Sequence, residues 1–286
     1  MAAKTVKETL VYAPGGEFLL PYLERTLGHR LSPANPTPCV TRFISGEDNG
    51  EADTNTATET ANGASTAAAS AAVDDASASA APTQRKCAIM ISSTDVYNVR
   101  GGENLTEETP LLAGSEWLRR EENFRSSCGF ENIPTVIIRC PHIVGTGMNG
   151  LPMRIARGIN NGILCHIRGN DAAVSVVHAV DIAALAAILG DKLLAGAVVP
   201  AAMNFTDGTR TTVNALIEAL AYRMGNKRIY TIGPKIARLI YGKEFFGQMT
   251  ETLTFDDALA IAASDGMRLH PVTEYLTTHV YDGNSL

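Results

Sequence analysis

Short apolar runs alternate with helically spaced apolar positions along most of this chain. The runs typical of buried strands are residues 9–13, 39–44, 88–91, 133–140, 173–178 and 202–205. The helical patterns cover residues 18–27, 115–126, 152–160, 182–189 and 213–224. We expect Ser115 to cap the second of these helices, Thr211 or Thr212 to cap the last, and Gly190 to stop the fourth. A further helix is expected near Leu253 and Phe255. Because strands and helices alternate, the pattern predicts an α/β fold with a mostly parallel, Rossmann-like sheet.

One long segment interrupts this alternation. Residues 46–84 contain seven acidic residues, no Lys or Arg, no aromatic residue and a single large aliphatic residue, Val73. Such a segment cannot bury enough apolar surface to offset its ordering entropy, so we predict a disordered surface insert. We accordingly divide the chain into residues 1–45, a truncated dinucleotide-binding unit, the insert 46–84, the remaining sheet 85–190, and a smaller C-terminal α/β subdomain, 191–286.

Charge and composition exclude several classes of partner. The net charge is −6, but seven of the 30 acidic residues lie in the insert. The rest of the chain therefore has 24 basic and 23 acidic residues and is close to neutral. The sequence has no stripe of basic residues, so we expect no nucleic-acid partner. No apolar run approaches the roughly 20 residues that span a bilayer, so we expect no membrane partner. Without a signal peptide, we expect a cytoplasmic protein. The five cysteines and the histidines have no metal-binding spacing.

A glycine turn follows the first predicted strand. Ala13, Gly15 and Gly16 stand where glycines let the backbone approach the pyrophosphate of NAD or NADP at a helix N-terminus. The full glycine motif is absent, since Ala13, Gly16 and Leu19 occupy the three positions that we assign to it and only the middle one is glycine. No acid follows a second strand to bind a ribose hydroxyl. An ordinary turn is the alternative interpretation, so the sequence leaves binding of NAD or NADP open.

The strand at residues 88–91 carries polar side chains at its carboxyl end. Ser92, Ser93 and Thr94 follow the apolar run directly. Because ligands bind at the carboxyl ends of strands in open α/β sheets, we expect Ser93 and Thr94 beside a small-molecule ligand.

Six segments resemble one family, and their order and spacing match it as well. They are Leu10-Val-Tyr-Ala-Pro-Gly-Gly, Ile91-Ser-Ser-Thr-Asp-Val-Tyr, Glu108-Thr-Pro, Ile138-Arg-Cys-Pro-His-Ile-Val-Gly, Ser175-Val-Val-His-Ala-Val-Asp-Ile-Ala and Met203-Asn-Phe-Thr-Asp-Gly. The chain resembles the extended short-chain dehydrogenase/reductases of the NAD-dependent epimerase/dehydratase group. This resemblance covers nearly everything except residues 31–86.

The resemblance implies a catalytic arrangement that this chain does not complete. In the family, a Tyr acts as the base, a Lys four residues later lowers its pKa, and a Ser or Thr bonds the substrate hydroxyl. Ser93 matches the Ser/Thr position, whereas Trp117 occupies the Tyr position and Glu121 the Lys position. Residues 110–126 contain neither Tyr nor Lys, so no shift of alignment restores the pair. Tyr97 is the alternative base.

Other polar positions of the resemblance have two interpretations. His142 occupies a substrate-phosphate position of the family, or is simply a polar residue at a strand end. Arg139 either contacts substrate or pairs with a carboxylate. We interpret His178 and Asp181 as structural, with the Asp capping a helix. A hydrolase triad of Ser93, His142 and Asp181 would lack its G-x-S-x-G elbow.

Three functions remain from the sequence. The first is a divergent, catalytically impaired member of the family that acts in ligand binding, regulation or assembly. The second is an active NAD(P)-dependent epimerase, dehydratase or reductase that acts on a nucleotide sugar or similar molecule with an atypical base. The third is an unrelated enzyme on a Rossmann-like fold. Family members often form homodimers, here through a helix that includes residues 115–126.

Overall fold

The computed structural model describes residues 6–13, 19, 22, 31–33, 40–45, 84–145, 148, 150–225 and 227–278. Its strands are β1 (Val6–Tyr12), β2 (Leu31–Pro33), β3 (Val40–Ser45), β4 (Gln84–Ser93), β5 (Gly102–Leu105), β6 (Thr135–Cys140), β7 (His142–Val144), β8 (Cys165–Ile167), β9 (Ala173–Val174), β10 (Val176–His178), β11 (Ala202–Asn204), β12 (Thr211–Thr212), β13 (Tyr230–Ile232) and β14 (Leu253–Phe255). Its helices are α1 (Glu116–Phe130), α2 (Gly150–Asn160), α3 (Ala179–Leu194), α4 (Val213–Arg223), α5 (Pro234–Thr250), α6 (Ala258–Ala263) and α7 (Val272–Thr277).

The main sheet has six strands in the order β11-β6-β4-β1-β3-β2. Strands β11, β6, β4 and β1 pair in parallel, which confirms the predicted Rossmann-like, mostly parallel α/β fold. The apolar run of β4 lies in the middle of this sheet, and Ile89 and Met90 are fully buried there. Strand β11 completes the sheet although it comes from residues 191–286.

The edge of the sheet beyond β1 departs from the parallel pattern. Strand β3 pairs with β1 in the antiparallel direction, with Tyr12 opposite Val40. The short strand β2 then pairs antiparallel with β3. The glycine turn, most of the first predicted helix and residues 46–83 of the predicted insert lie outside the described residues. The last residue of the predicted insert, Gln84, belongs to β4, so the insert was predicted one residue too long at this end.

Helix α3 packs on β1 and β4, and it corrects a prediction from sequence. Gly190 was expected to stop this helix, but the helix continues through it to Leu194. A Cβ at Gly190 would lie 3.1 Å from both Cγ2 and Oγ1 of Thr9. The glycine therefore permits close packing of the helix on the sheet and does not end it.

The helix caps agree only partly with the predictions. Thr212 caps α4, accepting a hydrogen bond from the Ala215 amide at 3.1 Å, as predicted. Ser115 precedes α1 but makes no cap, because its hydroxyl donates to the Asp95 carbonyl. Asp181 does not cap α3 either. The N-cap is His178, whose Nδ1 accepts from the Val180 amide at 3.3 Å.

The smaller sheets and remaining helices surround a second apolar core. This core joins α2, α4 and α7 through buried side chains that include Ile155, Leu216 and Val272. Leu253 and Phe255, expected near a helix, form β14, and helix α6 begins at Ala258. Within the described part of the chain, no helix has the length and apolar character needed to cross a membrane.

Candidate functional site

A cavity of about 530 Å³ lies at the carboxyl ends of β1, β4 and β6. Its volume is within the range of small-molecule sites. The main sheet and α1 form one side, and α2, the end of α5 and β14 form the other. The lining residues are Ala13, Leu19, Ile91, Ser92, Ser93, Asp95, Arg100, Trp117, Cys140, Pro141, His142, Ile143, Gly150, Leu151, Arg154, Val174, Gln248, Glu251 and Leu253.

The strand-end hydroxyls do not all reach this cavity. Ser93 lines it, and its Oγ accepts a hydrogen bond from the Asp95 amide at 3.1 Å, which begins a turn of 3-10 helix. Thr94, expected beside the ligand, is buried and is not among the lining residues. Its carbonyl accepts the amide of Tyr97 as that turn closes. Within the predicted pair, Ser93 is therefore the residue placed to meet a ligand.

Trp117 and Glu121, at the Tyr and Lys positions of the resemblance, have different surroundings. Trp117 is half-buried and lines the cavity, with the Arg120 guanidinium 4.9 Å from its ring centroid. Glu121 lies one helical turn later and is fully buried. It accepts hydrogen bonds from Ser92 Oγ at 2.7 Å and from Arg139 Nε and Nη2 at 3.0 and 2.7 Å. The Glu121 carboxylate is thus bound by Ser92 and Arg139 inside the protein.

Arg139 extends this buried network to Tyr97. Burial alone would lower the pKa of Arg139, but the hydrogen bonds and charge of Glu121 outweigh it and raise that pKa. Arg139 Nη1 donates to the Tyr97 hydroxyl at 3.1 Å, and this hydroxyl donates to Asn204 Oδ1 at 2.6 Å. The structure thus pairs Arg139 with a carboxylate, one of its two interpretations.

Tyr97 is poorly suited to act as the alternative base. Its side chain is buried, and burial raises the pKa of the phenol despite the hydrogen bond and charge of Arg139. Its hydroxyl is engaged by Arg139 and Asn204, and it is not among the residues that line the cavity.

His142 lines the same cavity, half-buried at the start of β7. Burial lowers the pKa of its imidazole, and the negative charge of Asp95 offsets part of that effect. A neutral imidazole at pH 7 can accept or donate a hydrogen bond, but it does not supply the positive charge that holds a phosphate.

Asp181 takes no part in a triad with Ser93 and His142. Its Oδ1 lies 3.1 Å from His270 Nδ1 and accepts a hydrogen bond from the Tyr275 hydroxyl at 3.2 Å. Burial raises the pKa of this carboxyl, although its contacts with His270 and Tyr275 act in the opposite direction. The Asp links the start of α3 to α7, which agrees with its interpretation as structural.

The described residues do not fit the adenosine half of a dinucleotide. Ala13 lines the cavity, but Gly15 and Gly16 lie outside the described residues. The acid that binds the ribose normally ends a parallel strand beside β1. Here β3, which pairs with β1 on the side away from β4, is antiparallel to β1. The residue beside Tyr12, at the carboxyl end of β1, is therefore the first residue of β3, Val40. We therefore assign no reaction step to NAD or NADP.

Sequence reasoning missed several lining residues. Asp95 stands two residues beyond Ser93 and could have been included with that motif. Arg154, Gln248 and Glu251 carried no such signal, because they come from α2 and from a segment about a hundred residues further along the chain. Arg154 is held by Gln248 Oε1 at 2.7 Å and lies 4.3 Å from the ring centroid of Phe245.

Comparisons with known proteins give similarities of fold. Neither a protein-family model nor a curated protein matches the chain. Among solved structures, RMD from Pseudomonas aeruginosa with NADPH is 17% identical, with a TM-score of 0.48 over 68% of this chain and 65% of that one. WbmH from Bordetella bronchiseptica with NAD+ is 16% identical, with a TM-score of 0.48 over 68% and 60%. UDP-glucuronic acid 4-epimerase from Bacillus cereus with NAD is 14% identical, with a TM-score of 0.49 over 68% and 58%.

The chain spans less than two thirds of the length of each of these structures. Because their TM-scores are below 0.5, we base no conclusion about activity on them. The chain itself folds as an α/β protein with a mostly parallel, Rossmann-like sheet.

Proposed function

We propose that this protein binds a small polar molecule in the cavity and does not convert it by the Tyr/Lys chemistry of the family it resembles. The observation that carries the proposal is the burial of Glu121 in its ion pair with Arg139. A carboxylate at that position lends no positive charge to a phenol, and Trp117 offers no phenol to ionise.

The cavity wall supports a ligand with both a ring and polar groups. The indole of Trp117 gives a flat apolar surface, and Leu151 and Leu253 extend the apolar lining. Ser93, neutral His142 and Arg154 provide hydrogen-bonding groups around it. Such a mixture of apolar lining and few polar groups is typical of small-molecule sites.

Trp117 also gives a direct measurement of binding. It is the only tryptophan of the chain, so intrinsic tryptophan emission reports on the cavity wall. We would titrate the protein with UDP-glucose, UDP-N-acetylglucosamine and glucose 1-phosphate as probes. We expect saturable quenching by at least one of them and loss of quenching in Ser93→Phe, which places a bulky ring in the cavity wall. Ser127→Phe, at an exposed position of α1 outside the lining, is the matched control.

The same samples test for catalysis. Nicotinamide fluorescence during titration with NADH and NADPH should show no saturable binding at millimolar concentration, and chromatography should show the sugar probes unchanged. The absence of saturable binding by every one of these probes would refute ligand binding in this cavity. Tight NADH or NADPH binding with turnover would refute the impaired assignment.

One observation favours the second candidate, an active NAD(P)-dependent enzyme with an atypical base. His142 has a lowered pKa, shares the cavity with Asp95 and could accept a proton near neutral pH. If His142 is the base, the rate at which the sugar probes are converted should fall by a factor of about a hundred or more in His142→Gln, which is the usual effect of losing a general base.

A further inference from the structure

Helix α5 begins with an apolar stripe that faces outward. Ile236, Leu239 and Ile240 are 55%, 85% and 51% exposed. Their spacing of i, i+3 and i+4 places them on one face of the helix. The opposite face is anchored, since Ala237 is buried and the Tyr241 hydroxyl bonds the backbone of Cys165. The helix is thus fixed to the protein while its apolar stripe remains uncovered by the described residues.

Basic residues accompany this stripe. Residues 227–243 contain five Lys or Arg residues and no acidic residue, in a chain whose net charge is −6. Lys235, Arg238 and Lys243 are exposed, and no described acidic side chain forms an ion pair with them. The next acid along the helix, Glu244, pairs with Arg154.

An exposed aromatic residue and a cation also precede α5 in the chain. Tyr230, in β13 just before α5, is 62% exposed, and the Arg228 guanidinium lies 5.2 Å from its ring centroid. We name the surface formed by Ile236, Leu239 and Ile240, together with Lys235 and Arg238 of the same helical segment, the basic apolar patch. Lys243 follows a kink at Gly242, where φ is 72° and ψ is 169°, and is not counted in the patch.

The charge of the patch selects among occupants. Two copies of this chain meeting face to face through the patch would bring like charges together, which disfavours a symmetric dimer there. The partner must therefore be anionic. Leu239, at 85% exposure, projects from the surface and does not line a groove. A projecting apolar side chain flanked by cations suits a deformable anionic surface better than a rigid one.

We propose that the basic apolar patch binds the surface of a lipid bilayer that contains anionic headgroups. The aliphatic side chains of α5 would enter the boundary between headgroups and acyl chains, while the Lys and Arg side chains stay beside the phosphates. The expectation of no membrane partner rests on the lack of a spanning run, and binding at the surface needs no such run.

Co-sedimentation with sucrose-loaded vesicles tests the proposal on the full chain. We expect the protein to pellet with phosphatidylcholine vesicles that contain phosphatidylserine and not with phosphatidylcholine alone. High salt should release it, because salt screens exposed charges. Lys235→Glu/Arg238→Glu should weaken binding by roughly 30-fold or more, since each cation near an anionic surface contributes about fivefold. Leu239→Ser should weaken binding as well.

Matched controls lie on helix α1. Arg119→Glu removes an exposed cation, and Phe130→Ser removes an apolar side chain that is 89% exposed. Both should bind vesicles as the unmodified protein does, and circular dichroism would verify the fold of each variant. No pelleting, equal pelleting with both vesicle types, or patch variants that bind unchanged would overturn the proposal. A concentration-dependent dimer that Leu239→Ser abolishes would assign the surface to self-association and overturn it too.

Discussion

Glu121 and Arg139 form a bidentate ion pair inside the protein, with Arg139 Nε and Nη2 at 3.0 and 2.7 Å from the two carboxylate oxygens. Both side chains are almost completely removed from solvent. A pair of this geometry joins α1 to the central sheet. Glu121 occupies the position where the resemblance would place a catalytic lysine. A buried ion pair that stabilises the fold is therefore found where the family has a catalytic residue.

Removing one member of this pair should destabilise the protein strongly. Glu121→Ala leaves the Arg139 guanidinium buried without a counter-charge, which we expect to cost about 3–5 kcal/mol of unfolding free energy. Replacing both residues, as in Glu121→Leu/Arg139→Met, should cost less than the single change, because no charge is left unpaired. Urea unfolding measures both. A double variant less stable than Glu121→Ala would contradict this account.

His178 should make stability depend on pH. Burial, with the charges of His270 and Arg223, lowers the pKa of this imidazole to about 4, against 6.5 for an ordinary histidine. Between these values the unfolded chain binds a proton that the folded protein does not, so stability falls as the pH falls through that window. The contribution has a slope of at most about 1.4 kcal/mol per pH unit.

The comparison of His178→Asn with the unmodified protein isolates this contribution. Asn can still cap α3 but does not titrate. Urea unfolding at several pH values between neutral and mildly acidic should therefore give a flatter profile for the variant. Parallel profiles would show that His178 is not the group responsible.

The two predicted caps should differ in strength. Thr212→Ala removes a hydrogen bond to the Ala215 amide, and we expect a loss of about 1 kcal/mol. Ser115→Ala removes no cap, only the bond from its hydroxyl to the Asp95 carbonyl. Its cost, measured in the same thermal or urea unfolding experiments, should be smaller. Equal losses of unfolding free energy in the two variants would contradict the conclusion that Thr212 caps its helix and Ser115 does not.

Deletion of the predicted insert should be tolerated. Ser45, at the end of β3, pairs with Lys7, and Gln84, at the start of β4, pairs with Val6, so the two ends flank the beginning of β1. At about 4.8 Å between neighbouring strands, they lie about 10 Å apart, which a linker of about four Gly and Ser residues can span.

The measurement for this deletion is the melting temperature. We expect replacement of residues 46–83 by such a linker, which keeps Gln84 in β4, to lower it by less than about 5 °C, or roughly 2 kcal/mol for a chain of this size. A larger fall would show that the segment contributes to the folded protein. The segment itself lies outside the described residues.

The sequence predicts the sheet well because its strands are continuous apolar runs that are buried on both faces. The runs around Ile89 and Ile137 lie at the centre of the sheet, as their composition indicates. Local cap rules were less reliable. Ser115 and Asp181 are residues of the right type, but each forms a tertiary hydrogen bond in preference to a local cap. Such competition is decided by partners that are distant in sequence.

The candidate site was predictable only where it follows a strand. Ser93, Trp117 and His142 line the cavity, and each belongs to the segments of the resemblance or is counted from them. Glu251 comes from the far side of the cavity, and only the folded chain brings it there. The partner of Glu121 could not be inferred from sequence either, since 18 residues separate it from Arg139.

The buried ion pair also determines what it would take to install the missing chemistry. Introducing Lys at position 121 alone would set two cations against each other in the interior, so Arg139 would have to change in the same step. Trp117→Tyr alone would supply a phenol without a lysine at position 121, and the nearby Arg120 guanidinium is already paired with Glu116. A working base therefore requires three coordinated substitutions. The intermediate that introduces the lysine alone would be unstable, so a stepwise route to that chemistry passes through a poorly folded protein.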